Sequence, residues 1–239
     1  MKKVFYPEDS RGKFDFGWLQ TNHSFSFGHY SNPERINFGM LRVLNNDFVQ
    51  GGQGFGTHPH KDMEIITIPL SGALEHKDST GGRGVLYPNE VQGMSAGTGI
   101  KHSEFNHLKD ETSNFLQIWI IPDKKGHQSR YDQKYFDEEE RKNKLQLIVS
   151  PEKENGSLWI NQNAFIYLAE LNQNIALKYD LHSSKNGVYL FLISGEIFAA
   201  DQILHKRDAI GIWETNSFKI NTIKDSFILL IEVPMVAVA

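Results

Sequence analysis

Gly56-Thr57-His58-Pro59-His60 sets two imidazoles two residues apart. In an extended strand residues i and i+2 point to the same face, so both rings can meet one ion. Pro59 cannot donate to a sheet ladder and favours an edge or a bend, where a site opens toward solvent. Further along, Gly97-Thr98-Gly99-Ile100-Lys101-His102-Ser103-Glu104 repeats the device with an imidazole and a carboxylate. If the two segments pair inside a barrel, His58, His60, His102 and Glu104 converge as three neutral nitrogens and one carboxylate oxygen. Such a set suits one divalent ion of Fe, Mn, Co, Ni, Cu or Zn, and it leaves positions free on any metal that prefers five or six ligands. A lone His-x-His is more often a surface pair. The Gly-rich lead-in and the second motif set this one apart.

Of the ten histidines, His23, His29, His58, His60, His76, His102 and His107 precede residue 123, which puts the expected chemistry in the first half. Alternation along His23-Ser24-Phe25-Ser26-Phe27 places His23, Phe25 and Phe27 on one face. That face either lines the mouth of a pocket for a flat aromatic molecule or packs into a core. His29, His76 and His107 are expected at the surface or in turns, on the ground that none shares the two-residue spacing with another type of ligand. The absence of cysteine excludes disulfides, thiolate metal sites and thiol nucleophiles. A formal charge of -4 and the lack of a basic run give no footprint for nucleic acid. The first residues show no apolar signal region and no later run approaches a membrane span, so a cytoplasmic protein without a membrane partner is expected.

The elements that must carry these residues are strands. Short apolar or alternating runs, such as Met63–Leu70, Phe115–Ile121, Val188–Ile193 and Phe227–Val233, are separated by Gly, Asn, Asp or Pro. This is the pattern of an all-β sandwich or barrel protein. The polar stretch 123–144 reads as a connector with room for a short surface helix. An internal repeat supports two units: Ile68-Pro69-Leu70-Ser71-Gly72-Ala73-Leu74 resembles Phe191-Leu192-Ile193-Ser194-Gly195-Glu196-Ile197, and Asn89 to Met94 resembles Arg207 to Ile212. Counting from these anchors sets Leu181, Ser183, Ile220 and Thr222 opposite the four ligands, so the second unit is expected to hold no metal. The expected division is 1–122, connector 123–144, and 145–239. Because a duplicated barrel already packs sheet on sheet, a monomer is expected.

The stretch from His58 to Asn106, with Gly17-Trp18, His23 to Phe27, Gly51 to Thr57 and Gln117-Ile118-Trp119, resembles the pirins, a bicupin family, and especially bacterial pirin-like proteins with quercetinase activity. The resemblance implies two cupin barrels in tandem, each a double-stranded β-helix or jelly roll, with the first holding the metal through His58, His60, His102 and Glu104 and the second degenerate. It implies Fe(II) first among the metals. It also implies a dioxygenase that cleaves a flavonol such as quercetin with O2, for which Glu104 is the expected catalytic base. In the wider cupin superfamily the carboxylate comes from the first motif, and Gly52-x5-His58-x-His60-x3-Glu64 fits that pattern. Glu64 therefore stands as the alternative ligand or as a charge behind the ligands. Two other readings share the fold and the metal: a redox-dependent regulator that binds a protein partner, and a cupin enzyme acting on another small metabolite.

Overall fold

The computed structural model describes residues 1–152 and 156–235, so the parts of the 145–239 span at 153–155 and 236–239 lie outside the described residues. The first half runs through β1 (Lys2–Tyr6), β2 (Gly12–Asp15), β3 (Leu19–His23), β4 (Leu41–Val49), β5 (Gly54–His60) and β6 (Glu64–Ser71). It continues through β7 (Leu74–Asp78), β8 (Arg83–Leu86), β9 (Glu90–Ser95), β10 (Ile100–Asn106), β11 (Ser113–Ile120) and β12 (Arg130–Tyr135). All but β1 form two sheets, a seven-stranded one in the order β12-β9-β6-β11-β4-β3-β2 and a four-stranded one in the order β5-β10-β7-β8. Alternation turns one face of each sheet toward the other and encloses the barrel interior.

The second half comprises β13 (Gln146–Ser150), β14 (Leu158–Trp159), β15 (Phe165–Leu171), β16 (Ala176–Asp180), β17 (Asn186–Ala199), β18 (Gln202–His205), β19 (Ala209–Trp213) and β20 (Ser217–Pro234). Here β17 and β20 are long enough to serve both layers, so a single nine-stranded sheet does what two sheets do in the first half. The pairing repeats. β16 lies on β20 as β5 lies on β10, and β19 lies on β17 as β9 lies on β6. Gly72 and Gly195 mark the same corner in both barrels. Each has positive φ, at +78° and +97°, and at each an added Cβ would come within 2.3 Å of a serine Oγ, that of Ser113 or Ser226. Ala73 N and Glu196 N donate to those two hydroxyls at 3.0 and 3.1 Å.

The two barrels pack through the outer faces of their large sheets. Ile66, Ile68, Leu116 and Ile118 of the first meet Tyr189, Phe191, Leu229 and Ile231 of the second in one buried cluster. Two strands cross the boundaries drawn from sequence. β1 pairs along its whole length with β19, and the polar stretch 123–144 holds β12, an edge strand on β9, with its helical character limited to a 3-10 turn at Glu138–Arg141. Alternation in Arg130-Tyr131-Asp132-Gln133 hides a strand behind its polarity. Among the described residues no helix is long and apolar enough to cross a membrane.

Candidate metal centre

The register of β10 with its two neighbours assembles the centre. His102 faces His58 on β5, His60 faces Ile100, and on the other side Asp78 and His76 of β7 face His102 and Glu104. Directly paired residues share a face, so His58, His60, His102, Glu104, His76 and Asp78 all belong to the inner side of the four-stranded sheet. A register shift in β5 beside His102 gives that strand an additional residue where it turns toward the pocket.

Nitrogens of His58, His60 and His102 lie within 4.8 Å of one another, and their ring centroids are 4.4 to 4.8 Å apart. Gly56 O accepts from His58 Nδ1 at 2.8 Å, which fixes the proton on Nδ1 and leaves the Nε2 lone pair for an ion. His102 is buried, and its Nε2 has no hydrogen-bond partner among the described residues. A buried, unsatisfied imidazole nitrogen beside two others is what an ion would satisfy. Desolvation, with the neighbouring imidazoles, pushes His60 down to about 4 and His102 lower still, so both rings are neutral at pH 7, the form that ligates.

Glu104 follows His102 by two residues on the same face of β10. It forms a second group of potential ligands with His76 and His102, also within 4.8 Å, and this one is buried at all three residues. Its Oε2 accepts from Gln117 Nε2 at 2.8 Å, while Thr67 and Gln92 approach Oε1 at 3.4 and 3.5 Å. Burial, reinforced by the charge of Asp47 and opposed by these hydrogen bonds, pushes Glu104 up to about 7.

Glu64 sits elsewhere. Asp62, with φ at +51°, breaks the alternation after His60, and β6 restarts with Thr67 facing the interior and Glu64 facing the other barrel. There Ser95 Oγ and Asn161 Nδ2 donate to its carboxylate at 2.7 and 2.9 Å. Glu64 therefore belongs to the contact between barrels, away from the ligands beside which the spacing His58-x-His60-x3-Glu64 had set it.

His58 and His60 open onto a pocket of about 190 Å³ whose walls include Phe14, Phe16, Phe27, Phe55 and Trp119. Trp119 meets His60 edge-on at 4.8 Å and Phe27 at 5.1 Å. Of the three pocket candidates, His23 and Phe27 line it. Phe25 does not: β3 ends at His23, the chain bends through Ser24 to Ser26, and Phe25 is fully buried between the barrels against Tyr6 and Tyr189. Opposite the histidines, five buried polar residues line up across the large sheet. Gln92, Thr67, Gln117, Asn45 and His23 are successive register partners on β9, β6, β11, β4 and β3. Asn45 Oδ1 and His23 Nδ1 have no partner among the described residues.

One histidine expected at the surface or in a turn is instead inside the site: His76 is fully buried beside His102. His29 is exposed in a turn, as expected, at the pocket mouth. The signal for His76 was present, because His76-Lys77-Asp78 repeats the two-residue spacing that singled out the ligands. His107 is exposed, beside Glu75.

Two tandem β-barrels with a histidine centre on the inner face of the first define a bicupin. The pirin family profile matches residues 5–120, and the quercetinase C-terminal cupin domain matches 147–233. A quercetin 2,3-dioxygenase of Escherichia coli K12 is 38% identical over 228 residues, covering 95% of this chain and 97% of the relative. A pirin-like protein of Caulobacter vibrioides is 36% identical over 227 residues, covering 95% and 97%. The crystal structure of the bacterial pirin YhhW of Escherichia coli in complex with nickel(II) superposes with a TM-score of 0.93 at 36% identity, covering 98% of this chain and all of that one. The chain belongs to the pirin family.

Proposed function

We propose that this chain is a metal-dependent, quercetinase-like dioxygenase that opens the central ring of a flavonol such as quercetin with O2 and releases carbon monoxide. The observation that carries the reading is the convergence of His58, His60 and His102 at the wall of a pocket lined by aromatic rings. Support comes from the related quercetin 2,3-dioxygenase of Escherichia coli and from the nickel complex of YhhW. His58, His60, His102 and Glu104 are the residues we assign to hold one divalent ion, with Fe(II) first among the candidates. The bound ion would supply a Lewis-acidic centre at which an ionised enol oxygen and O2 are brought together.

The chain's own groups do the rest. Phe14, Phe27, Phe55 and Trp119 stack against flat rings and exclude water. Asn45 Oδ1 and His23 Nδ1 offer unpaired polar atoms to the ring hydroxyls. Glu104 is the base we assign to the 3-hydroxyl proton, because a carboxylate at the metal centre can take that proton when its oxygen comes within hydrogen-bond reach of the bound substrate.

The test is quercetin absorbance and oxygen uptake by the full chain loaded in turn with Fe(II), Mn(II), Co(II), Ni(II), Cu(II) or Zn(II). Metal-dependent loss of quercetin with matched oxygen uptake is expected. Tight metal binding without turnover would overturn the proposed activity and move the assignment to another reaction or to a regulatory role. Glu104→Gln should reduce turnover by about 10²–10⁴-fold, and full activity at unchanged metal content would remove Glu104 from the mechanism.

A further inference from the structure

We infer that His76 and Asp78 form a proton-ordered relay that sets the tautomer of His102 and so makes Nε2 of that ring available to an ion. The inference rests on the proposed metal centre. All three side chains are buried on the inner side of the four-stranded sheet, where β7 and β10 pair. Asp78 Oδ2 lies 3.0 Å from His76 Nε2, and His76 Nδ1 lies 3.4 Å from His102 Nδ1.

The direction of donation follows from chemistry. An ionised carboxylate only accepts, so His76 Nε2 carries a hydrogen and donates to Asp78. The neutral His76 ring then has a bare Nδ1, which accepts from His102 Nδ1–H. This leaves the lone pair of His102 on Nε2, the buried nitrogen without a partner. The arrangement is held from two further sides. The ring of Tyr131 stacks on His76 at 4.5 Å, and Thr80 N, Thr80 Oγ1 and Gly82 N all donate to Asp78 Oδ1, at 2.7, 2.6 and 3.1 Å. Those donors keep Oδ1 occupied and turn Oδ2 to His76.

The same geometry decides against His76 as a ligand in its own right. An ion held between the facing Nδ1 atoms of His76 and His102 would leave Nε2 of His102 buried and unpaired, in a group whose residues are all buried. The three-histidine group has the pocket as its entry path. His76 and Asp78 are accordingly positioning residues.

Asp78→Asn is the decisive variant. The amide oxygen can keep the Thr80 and Gly82 contacts while its NH2 faces His76. That forces His76 Nε2 to accept, reverses both hydrogen bonds and puts the hydrogen of His102 on Nε2. Long-range 1H–15N correlation of the histidine rings in the metal-free full chain should show His102 as the Nδ1–H tautomer in the wild type and the Nε2–H tautomer in Asp78→Asn. Nickel(II) affinity, from chelator competition with the loaded full chain, should fall by about 10–100-fold in Asp78→Asn and in His76→Leu. Unchanged tautomer and unchanged nickel affinity in Asp78→Asn would overturn the relay. If that variant does not fold, the wild-type spectrum decides alone, because Nε2–H at His102 or Nδ1–H at His76 contradicts the relay. A wild type that holds no nickel(II) or other divalent ion would instead overturn the metal reading, while the ring tautomers still test the hydrogen-bond order.

Discussion

The same strand positions are polar in one barrel and apolar in the other. Pairing on either side of the Gly72 and Gly195 corners sets Ile210, Leu190, Leu230, Tyr167 and Leu147 in the places of Gln92, Thr67, Gln117, Asn45 and His23. In the smaller layer, Tyr179 faces Phe218 on β20 as His58 faces His102 on β10, and Ile220 takes the place of Glu104. Tyr179, Phe218, Ile220, Leu190, Ile210 and Leu230 are all part of one buried cluster. The second barrel uses its interior for hydrophobic burial. The first leaves its interior polar and draws much of its apolar packing from the contact with its neighbour. One half thus stabilises the molecule so that the other can keep a costly collection of buried polar groups.

This comparison can be broken most directly at the histidines. His58→Ala/His60→Ala should take metal content from one ion per chain to none and abolish metal-dependent turnover, measured by elemental analysis and oxygen uptake. An ion retained at full occupancy would mean that chemistry is not confined to the first barrel's centre. Next in size is Ile220→Glu, which puts a carboxylate at the place of Glu104 without its hydrogen-bonding neighbours. It should cost about 3–5 kcal/mol in urea unfolding, the penalty of an uncompensated buried charge. A mild effect would show that the second interior admits water.

The shared corner sharpens the likeness. Gly72→Ala and Gly195→Ala should each cost about 2–4 kcal/mol, combining positive-φ strain with a clash against the paired serine. Unequal costs would separate the two corners. The smallest effect at neutral pH concerns Asp47, which is buried at the pocket wall beside the Thr21 hydroxyl. Burial, opposed by Thr21 and Arg11, pushes its pKa from 3.8 up to about 7. A carboxyl raised on folding contributes stability below its unfolded pKa and loses it as pH rises through the folded one. Asp47→Asn should therefore gain on the wild type between pH 5 and pH 8 when urea midpoints are compared. A parallel pH dependence in both proteins would refute the assignment.

What could be read from sequence was what is local. The spacings His58-x-His60 and His102-x-Glu104, the two anchors of the repeat and the all-β pattern each lie within one strand or one turn. Phase was lost wherever the chain bends: Asp62 returned Glu64 to the outer face, and the Ser24–Ser26 bend turned Phe25 into the contact between barrels. Counting across turns of unequal length likewise set Leu181, Ser183, Ile220 and Thr222 opposite the ligands, where strand pairing sets Tyr179, Leu181, Phe218 and Ile220. The polar row was hidden for another reason. Its five members come from five strands, and lateral register alone makes them neighbours.

The pairing of β1 with β19 ties the order of synthesis to the order of folding. Lys2 to Tyr6 leave the ribosome ahead of everything they will touch in that sheet, and they must wait for Ala209 to Trp213. Until then β19's place at the sheet edge is unfilled, and the N-terminal strand is an unpaired segment with Val4, Phe5 and Tyr6 exposed. Closing so long a loop is slow, so the last step in maturation should be the docking of the first strand.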